Sequence, residues 1–85
     1  MGEKDFTRRQ CLSALRALGF WHDASRRGRH DKYVPPKSIL DTLAPHQAHF
    51  IMIPRHNEIH CQSEILKELK AMGGENLAVA FKEMI

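Results

Sequence analysis

The chain has 85 residues, a formal net charge of +3 and a 42% share of hydrophobic residues. This length suits one small domain and leaves no room for a cofactor-binding domain beside a catalytic one. No apolar run approaches the ~20 residues of a membrane-spanning helix, and the charged start of the chain lacks the apolar stretch of a secretion signal. We therefore expect one cytoplasmic domain over residues 1–85.

Thr7 and Gln10 predict the start of a first helix. The threonine hydroxyl is spaced to accept from the Gln10 amide while the glutamine side chain reaches back, which is the pattern of a capping box. Gly19 predicts the end of the helix, since glycine adopts a left-handed conformation at little cost. Apolar residues recur between these signals at helical spacing. The predicted helix covers about residues 8–18, and its apolar face consists of Cys11, Leu12, Leu15 and Leu18.

Three short strands are predicted next. The first covers the aromatic residues 20–23, and the second covers residues 29–34 and ends at two prolines. The third covers residues 48–53, the strongest strand pattern in the chain, and is also closed by a proline. Residues 37–47 predict an enlarged hairpin loop between the second and third strands.

The C-terminal quarter predicts a second main helix at residues 64–72. Gly73 and Gly74 end it, and Asn76 is placed to cap a short last helix. The spacing of the apolar residues in this last helix predicts that three of them lie on the core, namely Leu77, Phe81 and Met84.

The predicted order of elements is α-β-β-β-α with a short added C-terminal helix. Such an order favours an α+β fold, in which both main helices cover one face of a three-stranded antiparallel sheet. Because side chains alternate along a strand, Tyr33 is expected to face the helices. His30 and Lys32 then share the open face of the sheet.

Residues 26–37 form a strongly basic segment, with five cations against one anion. Such a segment attracts phosphate groups. It also contains His30, and histidine is the residue type that exchanges protons near neutral pH. The combination favours phosphodiester cleavage with His30 as acid or base. The alternative is a solvated histidine at the edge of a strand, the commoner situation in an unfamiliar chain.

Four cations around His30 are candidate phosphate ligands. The guanidinium fork of arginine binds phosphate through two parallel hydrogen bonds, and one or two such groups would stabilise charge in a transition state. The alternative is a solubilising charged loop. Trp21 is a further candidate, for stacking on a base, against the commoner role of packing at a core or sheet edge. The four cations are Arg26, Arg27, Arg29 and Lys32.

Arg55 and His56 follow the third predicted strand. Arg55 is a candidate contact to a nucleic-acid backbone, and His56 either exchanges a proton or hydrogen-bonds the turn into the next helix. His56, His60 and Cys61 provide three potential metal ligands, but a structural zinc site normally has four, so we expect neither a metal nor a cofactor. Cys11 and Cys61 are too few for a disulfide scaffold and are predicted to be small buried residues.

Three stretches carry a familiar pattern: LRALGF at residues 15–20, GRHDKY at 28–33 followed by a proline, and IPRHNEI at 53–59. Together they resemble the HicA family of bacterial and archaeal toxins, also called the YcfA-like family. Each motif alone is weak, but the three are in register. The resemblance covers about residues 6–74 and leaves residues 75–85 as a C-terminal extension.

The resemblance implies the toxin component of a type II toxin–antitoxin system with a fold like that of a double-stranded-RNA-binding domain. Its activity would be that of a metal-independent endoribonuclease, an mRNA interferase, with His30 as the catalytic histidine. It also implies mRNA as substrate and a HicB-type antitoxin as partner. Arg29 departs from the family pattern, in which a small hydroxyl residue usually precedes the histidine. Two alternatives remain open: a non-catalytic RNA-binding module of the same fold, and an inactive relative that binds the antitoxin.

Overall fold

The computed structural model describes residues 6–24, 30–55 and 62–85. These residues form a small α+β domain with a three-stranded antiparallel sheet, which confirms the predicted fold class at this level. The elements in chain order are α1 (Arg8–Ala17), β1 (Trp21–Asp23), β2 (His30–Val34), α2 (Lys37–Leu40), β3 (Ile51–Pro54) and α3 (Gln62–Glu83).

Helix α1 begins and ends at the predicted signals. Thr7 accepts a hydrogen bond from the Gln10 amide at 3.1 Å, and the Gln10 side chain accepts from the Thr7 amide at 2.9 Å. Leu18 is the C-cap, and Gly19 follows with a φ of 94°. Residues other than glycine rarely adopt this backbone conformation. The capping box and the glycine therefore set both ends of the helix locally.

The sheet has the strand order β1-β2-β3, with both neighbouring pairs antiparallel. In the register, Tyr33 lies between His22 of β1 and Ile51 of β3, so these three side chains share one face. Lys32 lies between Asp23 and Met52 on the other face. The alternation predicted for β2 is thus confirmed.

The hydrophobic core joins one face of the sheet to both main helices. Buried side chains of α1 and α3, such as Leu15 and Leu69, belong to the same cluster as Tyr33, Ile51 and Ile53. Two predicted core positions of the first helix, Leu12 and Leu18, are only partly buried and pack against the cluster. Among the buried residues are Leu15 of α1, Phe20, and Ile65, Leu69 and Met72 of α3. The opposite face of the sheet is the open face, whose residues are described below.

Helix α3 is interrupted where the sequence predicted an end. Gly74 has φ 74° and ψ −170°, a combination that is essentially restricted to glycine. The helical residues after it bury Leu77 and Phe81 in the core. Met84 was predicted to lie there too, but it follows the last helical residue, Glu83, and its side chain is half exposed; Ile85 packs against the core instead.

The segment between β2 and β3 differs from the predicted open loop. It contains the one-turn helix α2, whose N-cap is Pro36, and the Gln47 side chain closes the following turn by accepting from the Ala44 amide at 2.7 Å. Strand β3 also begins later than predicted, at Ile51. Among the described residues, no helix combines the length and the apolar character that a membrane crossing needs.

Candidate functional site

His30 is the first residue of β2, and its side chain is exposed on the open face of the sheet. Its partner in the register is Pro54, the last residue of β3. The register of β1 with β2 ends at the pair Asp23 and Lys32, so β2 extends two residues beyond it at this end. Within the described residues the imidazole forms no hydrogen bond, and the His30 side chain is exposed.

Lys32, two residues along the same face, is engaged within the fold. Its Nζ lies 3.6 Å from Oδ2 of Asp23 and 4.6 Å from the centre of the Phe50 ring. The ammonium therefore combines an ion pair with a cation–π contact. Lys32 was predicted to bind phosphate, and a phosphate would have to compete with Asp23 for its ammonium group.

The remainder of the open face is apolar. Trp21 lies opposite Val34 in the register, on the edge strand β1, and is 52% exposed. Met52 is half-buried on the central part of the same face. Trp21 and His30 thus occupy opposite ends of one surface, and the Lys32–Asp23 pair lies between them. Val34, the register partner of Trp21, is four residues or about 13 Å from His30 along β2.

Asp31 carries the densest polar contacts among the described residues. It is only 8% exposed and lies on the face of the sheet that meets the helices. Its Oδ1 accepts from Nε of Arg55 at 2.9 Å and lies 3.3 Å from Nε2 of His22, while its Oδ2 accepts from Nη2 of Arg8. The Arg8 Nε also donates to the Pro54 carbonyl at 2.7 Å. This aspartate cluster, which consists of Asp31, Arg8, His22 and Arg55, joins α1 to β1, β2 and the end of β3.

The environment of Asp31 acts on its pKa in two opposing ways. Burial by itself raises the pKa of the carboxyl group. The hydrogen bond from Arg55 and the charges of Arg55, Arg8 and His22 outweigh it, so the pKa of Asp31 is lower than usual for an aspartate. The carboxylate is therefore charged across the neutral range and holds the start of β2 in place.

Sequence reasoning missed the roles of Arg8 and His22. Arg55, a predicted contact to a nucleic-acid backbone, binds Asp31 through its Nε, and its side chain is 47% exposed. The sequence did contain one indication of this cluster. Because side chains alternate along β2, Asp31 lies on the same apolar face as Tyr33, and a buried carboxylate needs a cation or hydrogen-bond donor beside it. His22 is on that side as well and stacks on Tyr33, with ring centres 5.2 Å apart.

Four of the predicted site residues, Arg26, Arg27, Arg29 and His56, lie outside the described residues, as do His60 and Cys61. Cys11 is fully buried, as expected. Over residues 6–24, 30–55 and 62–85, histidine, cysteine and acidic side chains form no group of three or more placed to hold a metal ion.

Comparisons with known proteins identify no family for this chain. No family model matches it, and neither a curated protein nor a solved structure does.

Proposed function

We propose that this protein is a metal-independent endoribonuclease of the HicA toxin type, with a fold like that of a double-stranded-RNA-binding domain. The observation that carries the proposal is the position of His30. Its exposed imidazole stands at the end of an open sheet face, next to the most basic stretch of the sequence. The motif resemblance at residues 28–33 and the α+β architecture are consistent with it.

The proposed chemistry needs few groups. In RNA, the 2′-hydroxyl oxygen attacks the adjacent phosphorus, and the bond from phosphorus to the 5′-oxygen breaks. A base removes the proton of the 2′-hydroxyl group and an acid protonates the departing oxygen. His30 would perform one of these transfers, a contribution of about 10²–10⁴-fold in rate. The products are a 2′,3′-cyclic phosphate and a 5′-hydroxyl end.

The aspartate cluster supports this role by fixing the backbone beside the catalytic group. Asp31 is adjacent to His30 in β2, and Arg8 binds both Asp31 and the carbonyl of Pro54, the register partner of His30. Proton transfer depends on an accurate position of the imidazole, so a braced strand end favours catalysis. Phosphate contacts would come from Arg26, Arg27 and Arg29 by their closeness in the sequence.

The proposal includes a partner. An unrestrained ribonuclease would stop its own host, and the resemblance implies a HicB-type antitoxin. We expect the antitoxin to cover the open face around His30 and Lys32 and so to exclude RNA. Competition between RNA and antitoxin for the protein tests this, and charge reversal at Lys32 should weaken both.

The decisive experiment is an RNA cleavage assay with EDTA present. It compares the parent chain with His30→Ala and with His46→Ala, a matched control because His46 is an exposed histidine of the loop before β3. We expect cleavage to a 2′,3′-cyclic phosphate by the parent and the control, and none by His30→Ala, with all three folded. Cleavage by His30→Ala at the parent rate contradicts the proposal.

One observation favours a second candidate, a non-catalytic module that binds single-stranded RNA. Trp21 is exposed on the open face, and an exposed aromatic ring is a stacking platform for a base. RNA binding by a parent chain that never cleaves, unaffected by His30→Ala, selects this candidate. Antitoxin binding without any affinity for RNA would instead identify an inactive relative.

A further inference from the structure

Helix α1 has a groove on the side that it does not bury. The groove has a volume of about 660 Å³. Its lining contains three guanidinium groups, two hydroxyl groups and one apolar side chain, from Thr7, Arg8, Arg9, Leu12, Ser13 and Arg16. It lies outside the open face that carries His30.

Two of the three arginines in the groove, Arg9 and Arg16, have no partner carboxylate among the described residues, whereas Arg8 binds Asp31. Residues 6–22 contain no aspartate or glutamate. Arg9 and Arg16 are exposed, and neither forms an ion pair with a carboxylate of the described residues. By contrast, Lys37 and Lys70 are both paired, each with a carboxylate oxygen at 3.0 Å. Within the part of the chain that the structure describes, no carboxylate therefore competes with an external anion for these two arginines.

The spacing of the groups matches an extended anion. Arg9 and Arg16 are seven residues apart, which is about two turns and about 10 Å along the helix. Ser13 lies between them on the same side. Arginine forks with serine and threonine hydroxyl groups are the usual ligands of nucleic-acid phosphates. A protein partner would instead be expected to find deep apolar pockets, and Leu12 is the single apolar side chain in the lining.

The groove is connected to the proposed active site through Arg8. This side chain lines the groove and also binds Asp31 and the Pro54 carbonyl. Asp31 follows His30 in β2, and Pro54 is the partner of His30 in the neighbouring strand. The groove therefore begins at the end of the sheet where His30 lies.

We propose that the α1 groove binds the phosphates of single-stranded RNA, through Arg9 and Arg16, on the nucleotides beyond the one at His30. The binding claim depends on the groove alone, and only the path of the strand towards His30 rests on the proposed function. The substrate is accordingly a polynucleotide of several residues.

The test measures binding of a short single-stranded RNA made uncleavable by 2′-O-methylation, using fluorescence anisotropy over a range of salt concentrations. It compares the parent chain with Arg9→Ala/Arg16→Ala. The control, Lys37→Ala/Lys70→Ala, removes the same charge from exposed lysines that already have partners. We expect the groove variant to bind more weakly, with the slope of log affinity against log salt reduced by about 0.7 for each phosphate that it no longer neutralises. The control should retain the parent affinity and slope.

Equal weakening of RNA binding by both variants would show that net charge alone acts. An unchanged RNA affinity of the groove variant would show that the groove does not bind RNA. Either result overturns the proposal.

Poly-glutamate is tested in parallel. Loss of its binding in the groove variant with RNA binding intact would assign the groove to an acidic protein segment instead. These readouts do not require cleavage. If cleavage occurs, the groove variant should be slower on long RNA and unchanged on a dinucleotide, which cannot reach both sites.

Discussion

The ring of Phe81 packs edge-on against the ring of Phe6, with centres 5.2 Å apart and planes at 77°. Phe6 precedes α1, and Phe81 belongs to the last turns of α3. The C-terminal segment that exceeds the length expected from the family resemblance is therefore part of the core and packs against Phe6 there.

The first prediction concerns this pair of rings. Phe81→Ala should lower the free energy of unfolding by about 3–5 kcal/mol, because it removes a fully buried ring and leaves a cavity. Met84→Ala, a change at a half-exposed position in the same segment, should have little effect. Urea unfolding followed by circular dichroism measures both. Similar values for the two variants would mean that the segment does not contribute to the core.

The second prediction concerns Asp31. Asp31→Asn should lower the free energy of unfolding by about 2–3 kcal/mol, because Arg8 and Arg55 lose the charge that accepts their hydrogen bonds. Asp41→Asn breaks an exposed ion pair with Lys37 and should cost less than about 1 kcal/mol. Chemical denaturation measures the free energy of unfolding of both variants, each of which has lost one carboxylate charge. An equal cost would show that the aspartate cluster does not brace the sheet.

The third prediction is a dependence of stability on pH. The pKa of Asp31 is lower in the folded protein than the ordinary value of about 3.9, so the unfolded chain binds the proton more tightly. The contribution of Asp31 is complete above that ordinary value and is lost as the pH falls through the folded-state pKa. Burial and the neighbouring Glu64 raise the pKa of Glu68, which acts in the opposite direction.

Comparison with Asp31→Asn isolates the aspartate, since Glu68 is present in both proteins. The difference in unfolding free energy between parent and variant should be constant near neutral pH and should shrink in acid. A difference that stays constant down to the acid limit would contradict the assigned role of the carboxylate.

The fourth prediction uses Trp21, the single tryptophan of the chain. Its exposed ring lies on the same face as His30, so RNA bound there should change its fluorescence. Trp21→Phe should retain most of the RNA affinity, whereas Trp21→Ala should lose the stacking, worth about 1–3 kcal/mol per base. Calorimetric titration measures these affinities. Equal affinity for the alanine and phenylalanine variants would place the RNA away from this end of the sheet.

Local signals in the sequence anticipated much of the fold. The Thr7–Gln10 capping box, the positive φ of Gly19 and the interruption at Gly74 all depend on residues within a few positions of one another. Alternation along β2 placed Tyr33 inward and His30 outward because the period of a strand is a property of its backbone. The exposure of Met84 escaped prediction, since periodicity does not show where the last helical turn ends.

The partners of the charged side chains could not be anticipated in this way. Arg8 and Asp31 are 23 residues apart, and Asp31 and Arg55 are 24 apart. Whether these groups meet depends on the register of the strands and on where α1 packs over the sheet. Likewise, Lys32 faces Asp23 only because β1 and β2 pair in one register.

The sequence by itself determined the order of the main helices and strands, both ends of α1 and the outward position of His30, because short-range backbone preferences and side-chain periodicity control these features. Only the tertiary structure decided that Arg55 and Lys32 are engaged, that Arg9 and Arg16 form no ion pair within the described residues and that residues 75–85 complete the core. The physical reason is that ion pairs and packing contacts form between distant parts of the chain, and their geometry exists only once the helices and strands are assembled.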